Sequence, residues 1–94
     1  MMHIIDPVET EGTITAGGVS QQVYPARQRR YLRVVSRSPL PLYVRLGQAA
    51  VVGKGYWLLT QGQDIIWDNA VPACAVYIIG DTTGQPFTAE EAVM

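Results

Sequence analysis

Between Arg30 and Leu46 polar and apolar positions alternate. Leu32 and Val34 share one side of an extended segment, with Tyr31, Arg33, Val35 and Arg37 on the other; then Leu42, Val44 and Leu46 oppose Tyr43 and Arg45. A period of two sets an aliphatic face on a core and leaves an arginine–tyrosine face outside, which predicts strands over Arg30–Arg37 and Leu42–Leu46. Pro39 and Pro41 lie between them and remove two backbone donors, so the link is a turn or a sheet edge. Three later segments, Gly55–Thr60, Asp64–Trp67 and Cys74–Ile79, are apolar on both sides. One side can meet an internal core; the other needs an arm, a loop or another chain to cover it.

Glycine and proline punctuate the rest. Short strands are expected at Gly12–Thr15, Ser20–Tyr24 and Gln85–Thr88, and Gly62 between Gln61 and Gln63 predicts a hairpin joining its two neighbours. Asp68–Pro72 reads as a turn, and only the tail Thr88–Met94 leaves room for a helical period. Strands this short and this closely spaced predict an all-β fold: a small antiparallel β-sandwich, jelly-roll-like, with about seven or eight strands. Residues 1–11 show no core pattern and read as an extended N-terminal arm, leaving residues 12–94 as a single sandwich domain.

Composition narrows the class. Hydrophobic residues are 48% and charged residues 16% of the chain, the opposite of a disordered polar segment. The longest unbroken apolar stretch, Ala73–Ile79, is seven residues, far short of the ~20 a membrane-spanning helix needs. Met1–Pro7 has neither a basic head nor an apolar centre, so no signal peptide is expected. A chain of 94 residues buries a thin core, and its one cysteine, Cys74, excludes an internal disulfide, so association with copies of itself or with a partner is the expected stabiliser. All seven basic residues lie from Arg27 to Lys54, and all eight acidic ones lie outside that stretch. The strand assignments put Arg33, Arg37 and Arg45 on one face. A basic face on a chain of net charge −1 suits contacts between copies or docking on an acidic protein.

No catalytic constellation emerges, and neither a cofactor nor a metal ion is expected. His3 is the sole histidine and sits in the arm, and Cys74 opens an apolar strand as a buried, inert thiol. Asp64, Asp68 and Asp81 read as strand-end and turn residues rather than catalytic carboxylates, and Asp68, Asn69 and Asp81 make a weak calcium set. Tyr24, Arg27, Arg29, Arg30, Tyr31 and Arg33 interleave rings and cations as a single-strand nucleic-acid groove on an OB-like barrel would, against an acidic pI of 5.6. Trp57 and Trp67 offer stacking surfaces for a glycan, although both lie in apolar runs that favour a core position.

Several segments together carry a resemblance. They are Ala26-x-x-x-Arg30-Tyr31-Leu32, Leu42-Tyr43-Val44-x-Leu46-Gly47 with Ala49-Ala50, and Gly55-Tyr56-x-Leu58 before the Gly62 turn. Val71-Pro72-x-x-Ala75-Val76-Tyr77-Ile78-Ile79-Gly80 and Phe87-Thr88-Ala89-x-Glu91 complete the set. Over residues 13–91 the chain resembles the small β-sandwich accessory virion proteins of tailed bacteriophages, of the capsid decoration, cement or head-spike type. The resemblance implies no catalysis. It implies a homo-oligomer, such as a trimer, made in the host bacterial cytoplasm and bound through the major capsid protein or another virion protein to the capsid surface. The arginine cluster and Arg45 depart from the commoner pattern. The docking surface expected on this reading is Arg27, Arg29, Arg30, Arg33 and Arg37, with Ile4 and Ile5 as apolar anchors; a receptor- or glycan-binding module of a head spike or tail is the alternative.

Overall fold

In the computed structural model, residues 8–52 and 57–93 are described, and among them the regular structure is all β. The strands are β1 (Val8–Thr13), β2 (Gln21–Tyr24), β3 (Arg29–Ser36), β4 (Leu42–Leu46), β5 (Trp57–Leu59), β6 (Asp64–Trp67), β7 (Val76–Gly80) and β8 (Pro86–Val93). They form two antiparallel four-stranded sheets, β1-β8-β3-β6 (sheet A) and β2-β7-β4-β5 (sheet B). The pairs β4–β5, β3–β6, β2–β7 and β1–β8 are nested, as if the chain were doubled into one long ribbon. Successive pairs of that ribbon fall in opposite sheets, and β3–β8 and β4–β7 knit each sheet together. Such a rolled ribbon is a jelly roll, the arrangement expected from the strand spacing.

The alternation predicted for the core holds. Leu32, Val34, Leu42, Val44, Val76 and Ile78 have no solvent exposure and pack with Ile14, Tyr24, Phe87 and Ala89 between the sheets, while Ile65, Trp67 and Leu46 lean on that cluster. Each of these aliphatic side chains contributes on the order of 1.5–3 kcal/mol by leaving water.

Three expectations change. The Gly62 turn forms, with Gln63 N–H donating to Thr60 O at 2.9 Å, but it joins no hairpin: β5 lies in sheet B and β6 in sheet A. The turn carries the chain from one layer to the other, and Gly62 N–H donating to Ser36 O pins it to the end of β3. The tail is strand, not helix; β8 runs to Val93 as an inner strand of sheet A between β1 and β3. β1 begins at Val8, so residues 8–11 belong to the sheet rather than to an arm; residues 1–7 lie outside the described residues.

The second apolar face of β7 is covered by the chain itself. Gly47 N–H donates to Ala75 O at 2.8 Å beside the start of β7. Three residues later Ala50 N–H donates to Ser20 Oγ at 2.9 Å, and the β2–β7 register sets Ser20 opposite Ile79 near the far end of that strand. The segment after β4 therefore runs the length of β7 on the outside of sheet B. Ile79, which points outward, is only 4% exposed, and Ala50 only 3%. The faces of Gly55–Thr60 fall at residues whose side chains are outside the description; on β6, Ile66 stays 50% exposed.

Candidate functional site

The jelly roll has two ends, each closed by connections that cross between the sheets. At one end the crossings β2→β3 and β6→β7 meet at Arg29. Its Nη2 donates to Pro25 O at 2.7 Å, and its Nη1 donates to Pro72 O at 2.7 Å and Cys74 O at 3.0 Å. Its Nε donates to Glu91 Oε1 at 2.9 Å, and both side chains are essentially without solvent access. Arg27 reaches the other oxygen of Glu91 from a half-exposed position. Burial, and secondarily the nearby Arg27 cation, pull the Arg29 guanidinium below its ordinary value. Arg29 therefore belongs to the interior, contrary to its expected place on a docking surface. A cation there is tolerable because a carboxylate and three carbonyls surround it.

The opposite end is closed by Gln85, which is 4% exposed. Its Nε2 donates to Ser38 Oγ, Leu40 O and Pro41 O at 3.0–3.1 Å, and its Oε1 accepts from Thr82 N–H at 2.9 Å. One amide thus ties the β3→β4 crossing to the β7→β8 crossing. Neither Gln85 nor Glu91 is among the site residues expected from the sequence, where Glu91 enters only as part of the resemblance. The signal for Glu91 was present in Phe87-x-Ala89-x-Glu91-x-Val93, a period of two with a carboxylate on the core side. Gln85 sits in a turn and carries no comparable mark.

The expected basic face does not form. Arg33 and Arg37 stand on the outside of sheet A, whereas Arg45, paired with Tyr77 on β7, stands on the outside of sheet B. The outside of sheet A instead brings together Glu9, Glu11, Glu90 and Asp64 with those two arginines, as the registers of β1, β8, β3 and β6 require. Arg33 donates to Asp64 at 3.0 Å and Glu90 at 3.2 Å, and the Asp64 contact chiefly holds its guanidinium above its usual value. Arg37 Nε donates to Thr88 Oγ1 at 2.6 Å. Arg30 is exposed and makes no ion pair among the described residues. The segregation of charge along the chain becomes pairing in the fold, because β8 and β6 return acidic residues to the flanks of β3.

The remaining candidates separate. Tyr24 is core, 5% exposed, with its hydroxyl 3.2 Å from Thr10 Oγ1, and burial raises its pKa above the ordinary 10.0. With Tyr24 and Arg29 inside, the interleaved groove suggested for a single nucleic-acid strand is not assembled. Trp67 is half-buried against the core, and the Trp57 side chain lies outside the description. Cys74 precedes β7 instead of opening it and is half-buried. Asp68 and Asp81 are exposed in turns, and no group of three or more potential metal ligands occurs among the described residues. His3, Ile4 and Ile5 lie outside the described residues. No protein-family model matches the chain, and comparison with curated proteins and with solved structures gives no match.

Proposed function

We propose that the chain is a structural protein of a tailed-phage virion, a decoration or cement protein that forms homo-oligomers and binds the outside of the head shell through the major capsid protein. One observation carries the reading. The principal segments behind the resemblance, Ala26–Leu32, Leu42–Gly47, Val71–Gly80 and Phe87–Glu91, supply the four inner strands β3, β4, β7 and β8 of a jelly roll. That architecture is shared by many shell and lectin domains. Docking rests on groups the fold leaves at the surface: Arg30 with the half-exposed Arg27 at the start of β3, and Arg37 past its other end. Individually weak contacts, multiplied over many copies, would brace a shell.

The test is to mix the purified chain with head shells assembled without it. Saturable binding at a fixed ratio of copies to capsid subunits, with a rise in the temperature at which the shells rupture, is the expected result. Shells that bind no chain, or that bind it without saturation, overturn the proposal.

A further inference from the structure

We infer that the outer face of sheet A carries a carbohydrate-binding cleft between β1 and the end of β3. It has a volume of about 260 Å³ and is lined by Glu11, Gly12, Thr13, Arg37, Pro86 and Phe87. Register sets the arrangement. Thr13 faces Pro86, Glu11 faces Thr88, and Arg37 is held beside them by its N–H to Pro86 O at 3.1 Å and its Nε to Thr88 Oγ1 at 2.6 Å.

Glu11 and Arg37 share this cleft without forming an ion pair, and neither is paired with another charge among the described residues. The Nε contact fixes the Arg37 plane and leaves its terminal nitrogens as donors. The Glu11 carboxylate remains an acceptor, and the Thr13 hydroxyl can act as either. Opposite charges cancel, so an anion or a cation would meet one attractive and one repulsive wall. A neutral polyol suits both: adjacent hydroxyls donate to the carboxylate and accept from the guanidinium, while a pyranose C–H face rests on the Pro86 ring. The volume accommodates about one sugar ring. This inference does not depend on the shell-binding proposal, and it places a glycan away from Trp57 and Trp67.

The test is two-dimensional amide NMR on the full chain, titrated separately with methyl glycosides of glucose, galactose, mannose and fucose, with N-acetylglucosamine, and with glycine as a zwitterionic control. The expected result is saturable shifts for at least one sugar at Glu11, Gly12, Thr13, Arg37 and Phe87, with none for glycine. Glu11→Gln and Arg37→Met should each weaken that binding about tenfold, the loss of one charge-assisted hydrogen bond, with the rest of the spectrum unchanged. Absence of saturable shifts across the sugars, shifts confined elsewhere, or glycine shifting these amides in their place would overturn the inference. Loss of shell binding would leave it standing.

Discussion

Glu91 holds a charge where its side chain meets no solvent, opposite Leu32 on β3 and Val8 on β1. Removing one partner of a buried ion pair leaves the other uncompensated and costs about 3–5 kcal/mol, against a total stability of about 5–15 kcal/mol for a domain. Glu91→Gln should therefore lower the urea midpoint by a large fraction of its value. In many proteins an apolar pair in place of a buried ion pair recovers the loss, but here it should not. Arg29→Met with Glu91→Leu strips the donors from Pro25 O, Pro72 O and Cys74 O, at about 1–3 kcal/mol for each orphaned carbonyl. A double variant as stable as the natural chain in the same titration would refute the closing role of Arg29. Tyr24 supplies the pH dependence. Burial raises its pKa, so above the ordinary 10.0 the unfolded chain releases a proton that the native chain keeps. Stability is unaffected below that pH and falls as the pH rises through the native value. Phenolate absorbance should show one of the five tyrosines titrating late, and Tyr24→Phe should abolish that step.

At the scale of the element, two glycines do different work. Gly62 has φ +83° with open space around its Cα, so Gly62→Ala carries only the left-handed backbone cost of about 1 kcal/mol. At Gly80 a Cβ would lie 2.1 Å from Gln85 Oε1 and 2.9 Å from Leu42 Cδ2, both in buried side chains. Gly80→Ala must displace the amide that closes that end, and it should cost at least twice as much in thermal unfolding. Equal losses would mean that Gln85 moves aside freely. The same contrast explains what the sequence made legible. Alternation marks β3 and β4 because their core faces are aliphatic. It missed the start of β1, whose inward positions are Thr10 and Gly12, since the Phe87 ring fills the space a side chain at Gly12 would need, 2.7 Å away. It misread the end of β8 because a carboxylate occupies an inward position. The crossing at Gly62 was illegible for another reason: a tight turn looks the same whether its strands pair or part.

For the whole molecule, the apolar surplus that pointed to assembly is partly absorbed by the chain's own segment after β4, which covers Ile79. What remains outside is spread out: Val19, Leu40, Val51, Ile66 and Val93 are the large exposed hydrophobics among the described residues. Scattered apolar residues need no partner to explain them, so shell docking must draw more heavily on charge than the sequence pattern implied. Among the described residues, the folded chain commits three of its six arginines to ion pairs. Arg29 is buried, Arg27 binds Glu91, and Arg33 is held between Asp64 and Glu90. Arg30 is exposed and forms no such pair among the described residues. Reversing it should act on association without touching the fold: Arg30→Glu is expected to weaken shell binding at least tenfold and leave the unfolding midpoint unchanged. Arg33→Ala should do the reverse, shifting the midpoint slightly, since exposed pairs contribute about 0–1 kcal/mol, and leaving shell binding intact. Titrating each variant against undecorated shells at low and moderate salt separates these outcomes, because contacts between exposed charges weaken as salt rises. Equal binding by the natural chain and Arg30→Glu at low salt would remove Arg30 from the docking proposal.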